Sequence, residues 1–388
     1  IYNETEDIAV VFNGEIYNYP ELKSMLLERG HQFRTNADTE VLVHLYESFG
    51  TNMLDMLNGM FSFCIYDQKK QTYFLARDSF GEKPLYYYWD GQTFSFSSEI
   101  KSLLENKNIP RKLNHEALPY YFKTSLVPEP LTLLKQVKSV PAGHFVLLSK
   151  DNFTLTSYFK ANYEVDNSLD EAEAIELVRP FLVSAVKRQM VSDVPIGAFL
   201  SGGIDSSTVV ALLAHNSSKK INTFNVRFEN EAYDESAIAR KVAEYYGTEH
   251  HEIFVPNVDF DESIFWKIID HVGLPFRDSS AIPSYIVSQE IAKHVKVALS
   301  GDGGDELFGG YDLFQWYQKI VNLKKMGRPL QSALNSGLGI AQTMPVFNNL
   351  SLLRKLKRGV STSLLSEALA KIDPSGPAKR NLSSWNLY

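Results

Sequence analysis

The sequence predicts two domains of different fold class. The first is α+β with antiparallel sheets layered with helices, and the second is α/β on a doubly wound parallel sheet. Three observations carry that reading. The chain has 388 residues, more than one core usually holds. Up to about residue 160, short strand-like segments follow one another with only two helical stretches between them. From about residue 170 the rhythm becomes strand, helix, strand, helix, which a parallel sheet with crossover helices requires.

The elements follow in order. Strands are expected at IAVVF (8–12), FSFCIYD (61–67), TYFLARD (72–78), PLYYYW (84–89), TFSFSS (93–98) and HFVLLS (144–149), all rich in β-branched or aromatic residues. Asp90-Gly91 is a turn between two of them. Helical spacing of apolar residues places helices at 20–29 and 38–49. The polar segment NYEVDNS (162–168) reads as a linker, giving domains 1–161 and 169–388. Ser168-x-x-Glu171 has the form of a capping box, and Pro180 inside the next helical pattern predicts a kink or restart. Strands VPIGAFL (194–200), INTFNVRF (221–228), EIFVP (252–256) and VKVALS (295–300) then alternate with helices at 206–215, 234–246, 260–272 and 282–293. Gly247 supplies a helix stop.

Composition excludes several function classes. A net charge of −7 argues against a nucleic acid held by bulk charge. The single cysteine, Cys64, excludes a disulfide framework and a multi-cysteine metal site, and it fits a reducing, cytoplasmic compartment. No apolar run is long enough to span a bilayer, so no membrane partner is expected. The start Ile1-Tyr2-Asn3, without Met and close to a core strand, is expected to lack the natural N-terminal segment. The last residues, SSWNLY, give no domain closure, and the second domain is expected to be incomplete.

The chemistry concentrates in three segments. AFLSGGIDSS (198–207) runs from a strand through two glycines into a helix. Gly202 and Gly203 let the backbone approach a ligand, and the helix N–H groups behind them face an anion. Ser201, Ser206 and Ser207 add hydroxyl donors. Asp205, a carboxylate beside bound phosphate, makes sense with Mg²⁺ between the two. SGDGGDELFGGY (300–311) is a second glycine-rich turn at a strand end and gathers Asp302, Asp305 and Glu306. In FNGEIYNYPEL (12–22), the Asn13 amide and the uncovered Gly14 N–H together suit an oxyanion, although Asn-Gly alone favours a hairpin turn.

The string SGGIDSS resembles the pyrophosphate loop of the ATP pyrophosphatase superfamily. DVPIGAFLSGGIDSS together with VALSGDGGDELFGGY resembles the synthetase domain of the glutamine-dependent asparagine synthetases, and YDES (233–236) and PFRDSSAIPSY (275–285) resemble further segments of it. FNGEIYNYPEL, TNADTEVL (35–42), LNGMFSFCIYD (57–67) and LARDSFGEKPLYYY (75–88) resemble the glutaminase domain of class II amidotransferases, which are N-terminal-nucleophile hydrolases.

The resemblance implies an ATP-dependent amide ligase, with ATP and Mg²⁺ as cofactors and glutamine and aspartate as small-molecule partners. It implies that Leu200, Val226, Ser300 and Gly301 hold adenosine and the α-phosphate, and that Ser201, Gly203, Asp205 and Ser206 hold pyrophosphate and Mg²⁺. Asp305 matches a second Mg²⁺-side carboxylate, and Asp302 a group that orients the attacking ammonia or accepts its proton. Asn13 and Gly14 match the oxyanion hole, while Glu15 and Asp38 match the groups that bind glutamine through its ammonium. The family's nucleophile is an N-terminal cysteine, which this sequence does not contain; Cys64, in an apolar strand, reads as a core thiol. The acceptor is open between aspartate and another carboxylate, such as a sugar acid or peptide. A non-catalytic relative is the remaining alternative, and a homodimer stays open.

Overall fold

The computed structural model describes residues 1–312, 314 and 317, except 151, 165, 167, 229–233, 256–261 and 274–279. The chain forms two compact units, Ile1–Ser300 and Gly301–Tyr388.

The first unit opens with β1 (Ile8–Ile16), α1 (Tyr19–Glu28), α2 (Glu40–Phe49) and a 3₁₀ turn over Gly50–Met56. Then come β2 (Gly59–Asp67), β3 (Thr72–Arg77), β4 (Tyr86–Trp89), β5 (Phe94–Ser97), α3 (Ile100–Leu103) and α4 (Leu118–Thr124). β6 (Val137–Ser139), β7 (His144–Ser149) and β8 (Asn152–Ser157) close this half. A five-stranded sheet runs β1-β2-β3-β7-β8 and a three-stranded one β5-β4-β6, with every pairing antiparallel.

Period-two alternation builds the layers. Phe61, Phe63 and Ile65 of β2 face a core shared with Leu22 and Leu26 of α1 and Val41, Leu42 and Leu45 of α2. Cys64, between them, points the other way into a core with Leu75, Val146 and Tyr87 of the smaller sheet. Each fully buried side chain of this size contributes about 1.5–3 kcal/mol. Tyr88 faces a third cluster with Ile100, Leu103 and Val137.

Here the sequence missed four elements. β6 has three residues and β8 carries mostly polar ones, so neither shows the pattern of a half-buried strand. α3 and α4 are four and seven residues, too short for helical periodicity. β1 also runs further than IAVVF. Asn13-Gly14 is no hairpin turn but lies inside the strand, with Asn13 opposite Ser62 and Gly14 opposite Phe61.

The second half contains α5 (Glu171–Gln189), β9 (Ile196–Phe199), α6 (Ile204–Asn216), β10 (Asn222–Phe228) and α7 (Ser236–Tyr246). β11 (Glu249–Val255), α8 (Glu262–Val272), α9 (Ala281–Ile291) and β12 (Val297–Leu299) follow. The four strands form a parallel sheet in the order β11-β10-β9-β12. Val186 of α5, Val210 and Leu213 of α6 and Ala239 of α7 pack with Ala198 and Leu200 on one side. Val287 and Ile291 of α9 pack with Phe224, Ile253 and Val255 on the other. Helices therefore cover both faces, as the alternation predicts.

Two local expectations change. The capping box at α5 is Asp170 with Glu173, not Ser168 with Glu171: Asp170 Oδ1 accepts from the Glu173 N–H at 2.9 Å and Glu173 accepts from the Asp170 N–H at 3.0 Å. α5 also continues through Pro180 without a restart. Pro256, part of YDES and most of PFRDSS lie outside the described residues, as does the chain from 318 on.

Candidate active site

The parallel sheet positions the first site. β9 is the first of the four strands in sequence; β10 and β11 lie to one side and β12 to the other. The strand order reverses between β9 and β12, and such a switch point opens a crevice at the carboxyl ends of the strands. Leu299 of β12 pairs in register with Ala198 of β9, so Leu200 and Ser300 leave the sheet at the same edge.

Local bonds shape the turn after β9. Leu200 is fully buried, its N–H donates to Phe224 O at 2.8 Å, and its carbonyl accepts from Asn225 Nδ2 at 2.8 Å. Gly202 has φ +91°, and a Cβ there would lie 3.1 Å from Ile238 Cβ and 3.2 Å from Glu235 O, so both conformation and packing require glycine. Ser206 is buried and ties the turn together. Its hydroxyl accepts from the Ser201 N–H at 3.2 Å, meets Ser201 Oγ at 2.9 Å and donates to Gly203 O at 3.2 Å. The first intrahelical bond of α6 runs from the Ser207 N–H to Gly203 O, so the N–H groups of Ile204, Asp205 and Ser206 precede it. Asp205 stands half-buried in that first turn beside Ser207. This is a compact cradle of N–H and O–H donors with one carboxylate at its rim.

Val226 lies on β10 opposite Ile253. Beside it, Arg227 stands 3.5 Å from Glu252, and Glu252 also accepts from Arg240 Nε at 2.9 Å. Burial and motif reading both missed Asn225. It is 2% exposed, and its Oδ1 is without a hydrogen-bond partner among the described residues. A polar side chain in the apolar run INTFNVRF was the available signal. The adjacent His250 and His251 are taken up by neighbouring strand residues: His250 Nδ1 meets Thr223 Oγ1 at 3.0 Å and His251 Nε2 meets Asn222 Oδ1 at 2.9 Å.

The second unit opens with Gly301, Asp302 and Gly303, which has φ +91°, and then α10 (Gly304–Phe308). The Gly304 N–H donates to Gly301 O at 3.1 Å and the Gly310 N–H to Asp305 O at 3.1 Å, closing the turn on both sides. A Cβ on Gly310 would collide with Asp305 Oδ1, so this glycine leaves room for that carboxylate. Asp302 is exposed and Asp305 half-buried. Tyr311 O–H donates to Glu306 at 2.7 Å and lowers that carboxyl below its ordinary range.

The α+β half builds the other site on β1 and α2. Gly14 has φ +154°, and a Cβ there would strike Met60 O and come within 2.7 Å of Phe61 Cα. Asn13 Nδ2 donates to Ser98 Oγ at 3.2 Å from an exposed position. Asp38, just before α2, accepts the Ile16 N–H at 2.9 Å and so ties α2 to the end of β1. Burial, then the nearby Asp38 carboxylate, raises the Glu15 carboxyl above its ordinary range, with Asp193 adding to the effect. Two neighbouring carboxylates are a ready partner for a cation. Cys64 is buried and burial drives its thiol up, which agrees with a core role.

A supporting frame escaped the sequence reading. Asp78 is buried and accepts N–H groups from Phe61 (3.2 Å), Phe80 (3.1 Å), Glu82 (2.9 Å) and Lys83 (2.9 Å). Arg77 binds Glu129 and donates to the carbonyls of Lys83 (2.7 Å), Gly81 (2.7 Å) and Val140 (2.8 Å). Together they hold the loop after β3 against β2. The signal was the adjacent Arg-Asp pair inside LARDSFGEKP.

Comparison with known proteins agrees with this two-part arrangement. The asparagine synthase family matches residues 177–379, and the glutamine amidotransferase domain family matches residues 1–159. A Methanocaldococcus jannaschii protein provisionally named asparagine synthetase (glutamine-hydrolyzing) 2 is 38% identical over 92% of this chain and 70% of its own length. Asparagine synthetase (glutamine-hydrolyzing) 1 of Bacillus subtilis is 39% identical over 88% of this chain and 53% of its own. Asparagine synthetase (glutamine-hydrolyzing) 3 of the same organism is 35% identical over 79% and 52%. The chain thus spans about half the length of the two B. subtilis relatives.

Proposed function

The chain belongs to the glutamine-dependent asparagine synthetase family, and from that premise we propose that it carries the working parts of a glutamine-hydrolysing asparagine synthetase. The reaction adenylates the aspartate β-carboxyl with ATP and displaces AMP with ammonia from glutamine, releasing asparagine and pyrophosphate. The observation that carries the reading is the switch point of the parallel sheet, where the donor cradle of Ser201–Ser207 follows β9 and Ser300 follows β12 at the same edge.

The Gly203-to-Ser206 turn supplies the N–H and O–H groups for the pyrophosphate, with the helix dipole of α6 behind them. Asp205, half-buried in the first turn of α6, offers hard carboxylate oxygens suited to Mg²⁺, and Asp305 offers a second such carboxylate on its own turn. Mg²⁺ held beside the cradle would neutralise charge on the departing pyrophosphate. Val226, Ser300 and Gly301 border the nucleotide, with buried Leu200 fixing the turn beneath it. Asp302 orients the ammonia or takes its proton. In the α+β half, Glu15 and Asp38 hold the glutamine ammonium, and the Asn13 amide with the Gly14 N–H holds the oxyanion. A cytoplasmic location belongs to this proposal.

The Asp205→Ala protein tests the cradle. With ammonia supplied in place of glutamine, its ATP-to-pyrophosphate turnover should fall by a factor on the order of 10²–10³. Undiminished turnover would overturn the assignment. The glutaminase half is tested by Glu15→Gln, which should weaken the use of glutamine while ammonia-dependent turnover survives; undiminished use of glutamine would overturn that assignment.

A further inference from the structure

Four side chains from three separate segments converge beside α2, away from the groups proposed above. Glu4 precedes β1, His31 follows α1, and His44 and Glu47 lie one turn apart on α2. Their ligand atoms all lie within 4.8 Å of one another, the one such group of histidines and carboxylates among the described residues. Glu4 Oε1 is 3.1 Å from His31 Nδ1, Glu4 Oε2 is 3.2 Å from His44 Nδ1, and Glu47 Oε2 is 3.9 Å from His31 Nδ1. Bonds of 2.0–2.1 Å to a tetrahedral ion separate its ligand atoms by about 3.3–3.4 Å. The observed spacings bracket that value.

His44 is the decisive member. It is 0% exposed, and neither ring nitrogen has a hydrogen-bond partner among the described residues. Its Nδ1 faces Glu4 and its Nε2 faces Glu40 Oε1 at 3.6 Å. A neutral imidazole carries one N–H, so one of its nitrogens then turns a lone pair toward a carboxylate oxygen. The two rings stand 4.9 Å apart, centroid to centroid, and a divalent ion between them would take the lone pair that each neutral ring turns to the centre. The outer partners fit the same arrangement. His31 presents Nδ1 to the centre while its Nε2 meets Ser48 Oγ at 2.7 Å, and His44 Nε2 lies 3.6 Å from Glu40 Oε1. Glu4 is held by the Gln32 N–H at 2.8 Å and Glu47 by Asn3 Nδ2 at 3.2 Å. Histidine ligands whose second nitrogen leans on an outer oxygen are the usual pattern of a metal centre.

We propose that Glu4, His31, His44 and Glu47 form a structural site for a divalent transition-metal ion of the Zn²⁺ class. Two imidazoles with two carboxylates favour such an ion over Ca²⁺ or Mg²⁺, which take oxygen ligands. The ion would staple the segment before β1 and the residues after α1 onto α2, and so steady the approach to Asp38.

The test measures Zn²⁺ retained by the full chain after dialysis against a weak chelator, with the visible spectrum of the Co²⁺-substituted protein beside it. One Zn²⁺ per chain and the intense bands of four-coordinate Co²⁺ are expected. His31→Ala and Glu47→Gln should each weaken Zn²⁺ binding at least tenfold; Glu47 is exposed, so its variant keeps the fold if the His31 variant does not. No Zn²⁺ retained above background would overturn the proposal. Zn²⁺ bound with equal affinity by wild type and a folded variant would overturn it too, by placing the ion elsewhere.

Discussion

Replacing Gly202 with Ala separates two costs that the turn after β9 imposes. At φ +91°, an L-residue meets its own carbonyl, which costs about 1–2 kcal/mol. The new Cβ also lies 3.1 Å from Ile238 Cβ and 3.2 Å from Ala239 N and Glu235 O, so α7 must yield by a few tenths of an ångström. Overpacking of that kind adds about 1–3 kcal/mol, for a total of about 2–5 kcal/mol. Gly247→Ala is the control. Its φ is also positive, at +65°, but no atom lies within 4 Å of the added Cβ, so only the conformational cost of about 1–2 kcal/mol applies. Amide hydrogen exchange in α6 and α7 reads these energies locally, without assuming one unfolding transition for the whole chain. Exchange should speed up more than about thirtyfold for Gly202→Ala and about five- to thirtyfold for Gly247→Ala. If Gly202→Ala exchanges no faster than the control, the close packing of this turn against α7 is not what demands glycine.

Gly14→Ala should cut glutamine-dependent synthesis by at least about 10²-fold while ammonia-dependent synthesis survives, measured on the protein with its natural N-terminus; equal loss of both would mean a global fold defect. Glu15→Gln should weaken glutamine binding yet raise the thermal midpoint at neutral pH. Ionising Glu15 is disfavoured in the folded chain by partial desolvation of its carboxyl and by Asp38, so that cost is present above its raised folded pKa. The gain should vanish below about pH 4, where Glu15 is protonated folded and unfolded alike. A gain that persists there would assign it to packing rather than charge. Cys64, buried with its thiol driven up, should resist alkylation in the native chain and react on unfolding. Native-state labelling would contradict its place in the core between the sheets.

The proposed chemistry was legible wherever it depends on neighbours in sequence. SGGIDSS reads as a donor cradle because a strand-to-helix turn needs no distant partner to form, and Gly202, Ser206 and Asp205 each act within a few residues. Alternation of strands with helices announced a parallel sheet for the same reason: each crossover is a local unit. Cys64 was placed in the core by the apolar run around it.

What lay beyond the sequence depends on which strands become neighbours. Nothing local says that β12 pairs with β9 rather than with β11, yet that pairing creates the switch point and brings Leu200 and Ser300 to one edge. Asn13-Gly14 carries the strongest short turn signal, but β2 pairs along the whole of β1 and overrides it. Arg77 and Asp78 become a frame only when the loop folds back on them. Glu4, His31, His44 and Glu47 are spread over more than forty residues, with only His44 and Glu47 at helical spacing, and the packing of α2 against the segment before β1 gathers them. Periodicity reports which face of an element is buried, while long-range packing decides what that face meets.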